Sequence, residues 1–143
     1  MKSVSRILVP VNGGDADRGA IDLACQVARR QKARVEAIYV IEVNRSLPID
    51  AEMQAEIERG ESVLDASERI SHENEVEMET SLLQARDVGA AIVDEAVQLR
   101  ADLIVMGIAY KRKFGEFAVG PTANYVLKNA PCLVWVARQP SAT

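Results

Sequence analysis

Only two cysteines, one histidine and 4% aromatic residues occur in this 143-residue chain, and each scarcity removes a class of chemistry. Cys25 and Cys132 lie far apart, with no second Cys or His at the close spacing of a zinc or redox site. Both read as small buried hydrophobes of a reducing compartment. His72 is the only histidine and falls in an acidic stretch near a helix end, so no Ser-His-Asp or Cys-His arrangement can be built on it. No catalytic residue is assigned, and the chain is read as a non-enzyme. A long hydrophobic run is also missing: the N-terminal one ends at Asn12 and Gly13, too early for a signal sequence or a membrane span. A cytoplasmic protein is the expectation. Positive charge is in deficit, with a net charge of -4, which argues against a surface built for nucleic acid. The carboxylates between Asp50 and Glu79 fall at mixed spacings on a polar face, the pattern of solubility, and no metal site is expected.

What the chain does have is apolar mass, 48% of its residues, enough for one domain to bury a core without staples. The expected domain spans residues 1–138, with 139–143 as a short flexible tail. Near-continuous apolar runs at Arg6–Val11, Ala33–Val43, Asp102–Gly107 and Cys132–Ala137 have strand length and suit strands covered on both faces. A stripe of Ile21, Ala24, Cys25 and Ala28 predicts one helix, and Val88, Ile92, Ala96 and Leu99 predict another, with Asp17 and Asp87 as their N-caps. Ala123, Val126, Leu127 and Ala130 repeat the period before Pro131 stops that helix. Met53, Ile57, Leu64 and Ile70 predict a long exposed helix with Gly60 as an irregularity, and the alternation Val76, Met78, Thr80, Leu82 predicts a half-exposed edge strand.

Strands alternating with helices predict an open parallel sheet with right-handed crossovers and helices on both faces. Ligands in such sheets bind beyond the carboxyl ends of the strands, at the switch in strand order. The loops expected to meet there begin at Asn12, Glu42 and Gly107. The first, "VNGGDADRG", sets an amide side chain and two glycines before a helix, and two readings stand: backbone N–H groups brought near an anion or ribose, or a tight turn with an Asp cap. A second connection runs from Gly107 to Gly120, long for a compact domain. Gly120 precedes Pro121 and Thr122 at a helix start, where free N–H groups face outward.

The run "DLIVMG" with Gly107, then Gly120 leading into "ANYVLKNAPCLVWV", resembles the nucleotide loop of the universal stress protein family, whose ATP-binding members carry Gly-x2-Gly-x9-Gly-Ser/Thr. The N-terminal "ILVPVNGG" is similar to that family's "ILVPVDGS". The resemblance runs nearly end to end. It implies the adenine-nucleotide alpha-hydrolase-like fold, a five-stranded parallel sheet of order 3-2-1-4-5, and a homodimer through the last strand. It also implies ATP or another adenine nucleotide lying over strands one and four, with magnesium only where the ligand is ATP. By position, Asn12 stands for the family's Asp, Val40 for a backbone contact to adenine, and Gly107 and Gly120 for two loop glycines. Pro10, Val11 and Met106 flank these.

Two positions depart from the motif: Tyr110 replaces its second glycine, and Pro121 replaces the Ser/Thr, with Thr122 carrying a hydroxyl one residue later. Lys111, Arg112 and Lys113 either pair with phosphate or are a solvated charge run. Tyr110, Phe114 and Phe117 are read as loop-packing anchors, with a lid or a stacking platform as alternatives. Leu133, Val134, Trp135 and Val136 form the expected dimer edge, where Trp135 anchors an interface or fills core. The leading expectation is a nucleotide-binding stress or regulatory sensor. The alternative is an interaction module of the same fold that has lost ATP, or the regulatory domain of a membrane transporter.

Overall fold

The computed structural model describes residues 3–110, 112–113, 116–117 and 119–140, with the backbone alone at 112–113 and 116–117. The chain runs β1 (Arg6–Pro10), α1 (Ala16–Gln31), β2 (Arg34–Glu42), α2 (Gln54–Glu73), β3 (Met78–Ala85), α3 (Val88–Leu99) and β4 (Leu103–Ile108). Two short strands follow, β5 (Arg112–Lys113) and β6 (Glu116–Phe117), then α4 (Pro121–Asn129) and β7 (Leu133–Arg138). Five strands form one parallel sheet in the order β3-β2-β1-β4-β7, which is 3-2-1-4-5 when only its own strands are counted. The two-residue strands β5 and β6 pair antiparallel inside the long connection.

Strand pleating explains the continuous apolar runs. Successive side chains of β1, β2 and β4 alternate between two cores, because helices cover both faces. Ile7, Val9, Val35, Ala37, Leu103 and Val105 pack with α1 and α2 residues such as Ile21, Cys25, Leu64 and Ile70. Leu8, Ile38, Ile104 and Met106 pack with Ile92 and Ala96 of α3 and Ala123 and Val126 of α4. Burying one such Leu, Ile or Val stabilises by about 1.5–3 kcal/mol, so the three inner strands carry the fold.

Several local expectations are corrected. Asp17 is not an N-cap: Asp15 holds that position without a side-chain cap, and Asp17 lies in the first turn of α1. Asp87 does cap α3, accepting from Ala90 N at 2.9 Å. Gly60 leaves α2 continuous over its 20 residues. A Cβ there would overlap the Leu82 side chain and lie 2.8 Å from the Tyr39 ring, so glycine is what lets α2 seat on β2 and β3. Cys25 is buried as expected, while Cys132 is only half-buried; both are free thiols. Strand β4 continues one residue past Gly107, and Val40 sits two residues before the end of β2. Past the end of β7, the Gln139 N–H donates to Ile108 O at 2.8 Å and continues the pairing with β4.

Among the described residues no helix is long and apolar enough to cross a membrane, and no group of His, Cys, Asp and Glu could hold a metal ion.

Candidate functional site

The chain leaves β1 toward β2 and β3, then returns to place β4 and β7 on the other side, so β1 and β4 flank the switch point. Above their carboxyl ends lies a cleft of about 660 Å³, within the usual range for a small-molecule site. Pro10 at the end of β1 with Val11 and Asn12 after it, Val40 on β2, Met106 and Gly107 on β4, and Gly120, Pro121 and Thr122 at the start of α4 all line it. Four separated segments named from the sequence thus meet at one place.

The turn after β1 is held by its own side chains. Asp17 accepts from Gly13 N at 2.8 Å and from Asn12 N at 3.2 Å, and the Asn12 side-chain carbonyl accepts from Gly14 N at 2.8 Å. Arg59 of α2 reaches Asn12 O at 3.3 Å. Gly13 has φ +87°, and a Cβ there would meet Val63 of α2 at 2.9 Å, so glycine is required on both counts. The turn is bonded internally: the amides of Asn12, Gly13 and Gly14 already have acceptors, two of them supplied by Asp17 from inside the first turn of α1 and not from the cap position. Burial pushes the Asp17 carboxyl above its usual range, against the opposing pull of the Gly13 and Asn12 N–H groups.

Gly107 is needed for packing. A Cβ on it would overlap the Ala16 carbonyl oxygen and lie 2.8 Å from the carbonyl carbon, so β4 and the start of α1 close up only over glycine. Gly120 is different. It is the N-cap of α4 with φ -68° and ψ 166°, makes no side-chain cap, and has nothing within 4 Å of a Cβ position. Pro121 occupies the first helical position with no N–H to lose, and Thr122 follows on the cleft wall. The α4 start therefore offers first-turn N–H groups beside the open Gly120 position, with the half-buried Thr122 next to them.

Tyr110 does not line the cleft. Its ring lies 4.7 Å below Arg138 Cζ, a cation–π contact that ties the connection to the end of β7, so packing is the role it takes here. It does not plug the site its glycine counterpart would leave open. Lys111 and Phe114 lie outside the described residues; Arg112, Lys113 and Phe117 are placed by backbone only, in the β5–β6 pair.

At the far edge of the sheet, β7 pairs with β4 alone among the described residues. Leu133 is exposed there, and Val134, Trp135 and Val136 are half-buried. Trp135 packs against the α1–α2 core and Val134 against the α3–α4 core, so Trp135 does fill core.

The sequence reading missed Asp15, Asp17, Val88, Ile92, Ile108, Ala109 and Gln139 as lining residues. A signal existed for Gln139: in a parallel sheet the residue following β7 must stand beside the end of β4. Asp17 was legible only as a cap.

The profile described as the Universal stress protein family matches residues 3–138. A universal stress protein of Methanocaldococcus jannaschii is 32% identical over 141 residues, covering 94% of this chain and 82% of that one. A universal stress protein structure from Archaeoglobus fulgidus superposes with a TM-score of 0.81 at 22% identity, covering 92% of this chain and 97% of the other. A second, also from Archaeoglobus fulgidus and solved in complex with dAMP, gives a TM-score of 0.75 at 22% identity, covering 94% and 98%. Matched by that profile over residues 3–138 and by a 32% identical relative over 94% of its length, the chain belongs to the universal stress protein family.

Proposed function

We propose that the chain is a cytoplasmic, non-catalytic module that binds an adenine nucleotide in the β1–β4 cleft and reports its occupancy to a partner as a stress or regulatory signal. The observation that carries this is the convergence of Pro10–Asn12, Val40, Met106–Gly107 and Gly120–Thr122 on one cleft at the switch point. Apolar walls of Ile38, Val40 and Ile92 suit a base, and the open start of α4 suits an anion. Relatives of the same fold have been solved with dAMP, cAMP and AMP, which supports an adenine ligand here. The edge of β7, unpaired among the described residues and partly apolar, supports a homodimer through that strand.

Isothermal titration with AMP, ADP, ATP and cyclic di-AMP tests the ligand. Saturable binding of an adenine nucleotide, lost in Gly120→Val, is expected; no binding to any of the four at millimolar concentration refutes the reading.

A second reading, an interaction module that has given up nucleotide, is favoured by the internal pairing of the Asn12, Gly13 and Gly14 amides and by Pro121. As the regulatory domain of a membrane transporter it would need no ligand of its own. Under this reading Pro121→Ser, which returns an N–H and a hydroxyl to the start of α4, creates ATP affinity that the native chain lacks.

A further inference from the structure

The cleft is short of the groups that hold a chain of phosphates. Two carboxylates, Asp15 and Asp17, line it, and no Lys or Arg does among the residues whose side chains are described. Arg59, the cation at the β1–α1 turn, donates to Asn12 O and sits behind Gly13, against the position its Cβ would take. The three amides of that turn are already spent on Asp17 and on the Asn12 side chain. Pro121 removes one more N–H from the start of α4. Among the described residues, what is left for an anion is the Thr122 hydroxyl and the remaining first-turn N–H groups, a set sized for one phosphate.

We infer that the cleft selects an adenine nucleoside or nucleoside monophosphate and discriminates against di- and triphosphates. The inference rests on the nucleotide reading above and names the ligand class within it. Each further phosphate adds negative charge beside Asp15 and Asp17, in a cleft whose apolar walls weaken screening. Carboxylates are suited instead to accept from ribose hydroxyls. Asp17 thereby acts twice: it holds the turn closed around its own amides, and it sets the sign of the field above the sheet.

The test is equilibrium titration of the whole chain with adenosine, AMP, ADP and ATP in buffer containing EDTA, at low and high ionic strength, and with Asp17→Asn and Asp15→Asn. AMP is expected to bind within about tenfold of adenosine, and ATP about tenfold or more weaker than AMP, the gap closing as salt rises. Asp17→Asn retains a side-chain oxygen for the Gly13 N–H and should narrow the AMP-over-ATP preference about threefold or more. Asp15→Asn, at an exposed helix start, provides the same readout should Asp17→Asn fail to fold. ATP binding as tightly as AMP overturns the inference and leaves the nucleotide reading standing. A preference insensitive to salt and to both substitutions also overturns it. Failure of all four ligands to bind refutes the nucleotide reading and this inference with it.

Discussion

Replacing Gly107 by alanine asks whether this glycine serves the fold or only the ligand. Strand β4 passes the N-terminus of α1 so closely that an added Cβ would overlap Ala16 O, lie 2.8 Å from its carbonyl carbon and 3.1 Å from Ala16 Cβ. Ordinary contact begins near 3.4 Å, so the backbones must part by about 0.6 Å or more. Backbone cannot rotate away as the tip of a long side chain can. Both neighbours are also fixed: Val105 and Met106 on one side and Ala20 and Ile21 on the other are buried. Overpacking of this kind costs about 1–3 kcal/mol, and two backbones in conflict put Gly107→Ala near 3 kcal/mol. For a domain of this length that lowers the melting temperature by about 10 °C. The contrasting substitution is Gly19→Ala in α1, where nothing lies within 4 Å of the Cβ position. There the same methyl should stabilise by about 0.5–1 kcal/mol through helix propensity alone. Urea denaturation, read as the midpoint at constant slope, measures both. A midpoint for Gly107→Ala within error of the native chain would refute the packing argument and return Gly107 to the role of a ligand-facing glycine.

Glu36 on β2 faces Glu95 of α3 and Glu79 and Ser81 of β3. Burial, then the hydrogen bond and the charge of Glu95, raises its pKa from 4.5 to about 7, against the Ser81 hydroxyl. The folded chain therefore holds a proton that the unfolded chain releases, and stability should fall as pH rises through the window from 4.5 to about 7. The full shift corresponds to about 3 kcal/mol, which partial solvent exposure of the side chain reduces to about 1 kcal/mol. Urea midpoints between those pH values should show the fall, Glu36→Gln should flatten it, and an unchanged slope in Glu36→Gln would assign the effect elsewhere. At the sheet edge, Leu133 is 44% exposed on a strand paired on one side only among the described residues, so Leu133→Glu should shift a dimer to monomer by sedimentation velocity. A native chain that sediments as a monomer at about 10 µM refutes the β7 dimer, since a stable homodimer is well populated there.

Much of the site was legible because its parts are local. Asn12, Gly107 and Gly120 could be named from spacing, since each falls where an apolar run meets a turn or a helix start. Their reasons were not legible. Gly107 and Gly120 look alike in the sequence, yet one is forced by the Ala16 backbone and the other stands in open space. Tyr110 was read as a packing anchor without a partner, because nothing in its own segment reveals that its ring packs under Arg138, 28 positions away. Asp17 looked like a cap because caps are Asp residues at helix starts; that it reaches back to two amides depends on the path of the turn.

The sequence alone determined the parallel sheet, its helices and the end of the sheet where ligands sit, because apolar period and strand length are set residue by residue along the chain. Only the tertiary structure decided which donors remain free in the cleft. Hydrogen-bond partners at the turn after β1, the closeness of β4 to α1 and the absence of cations from the described wall all arise between segments distant in sequence. Such distances depend on how helices seat on the sheet, which no local pattern encodes.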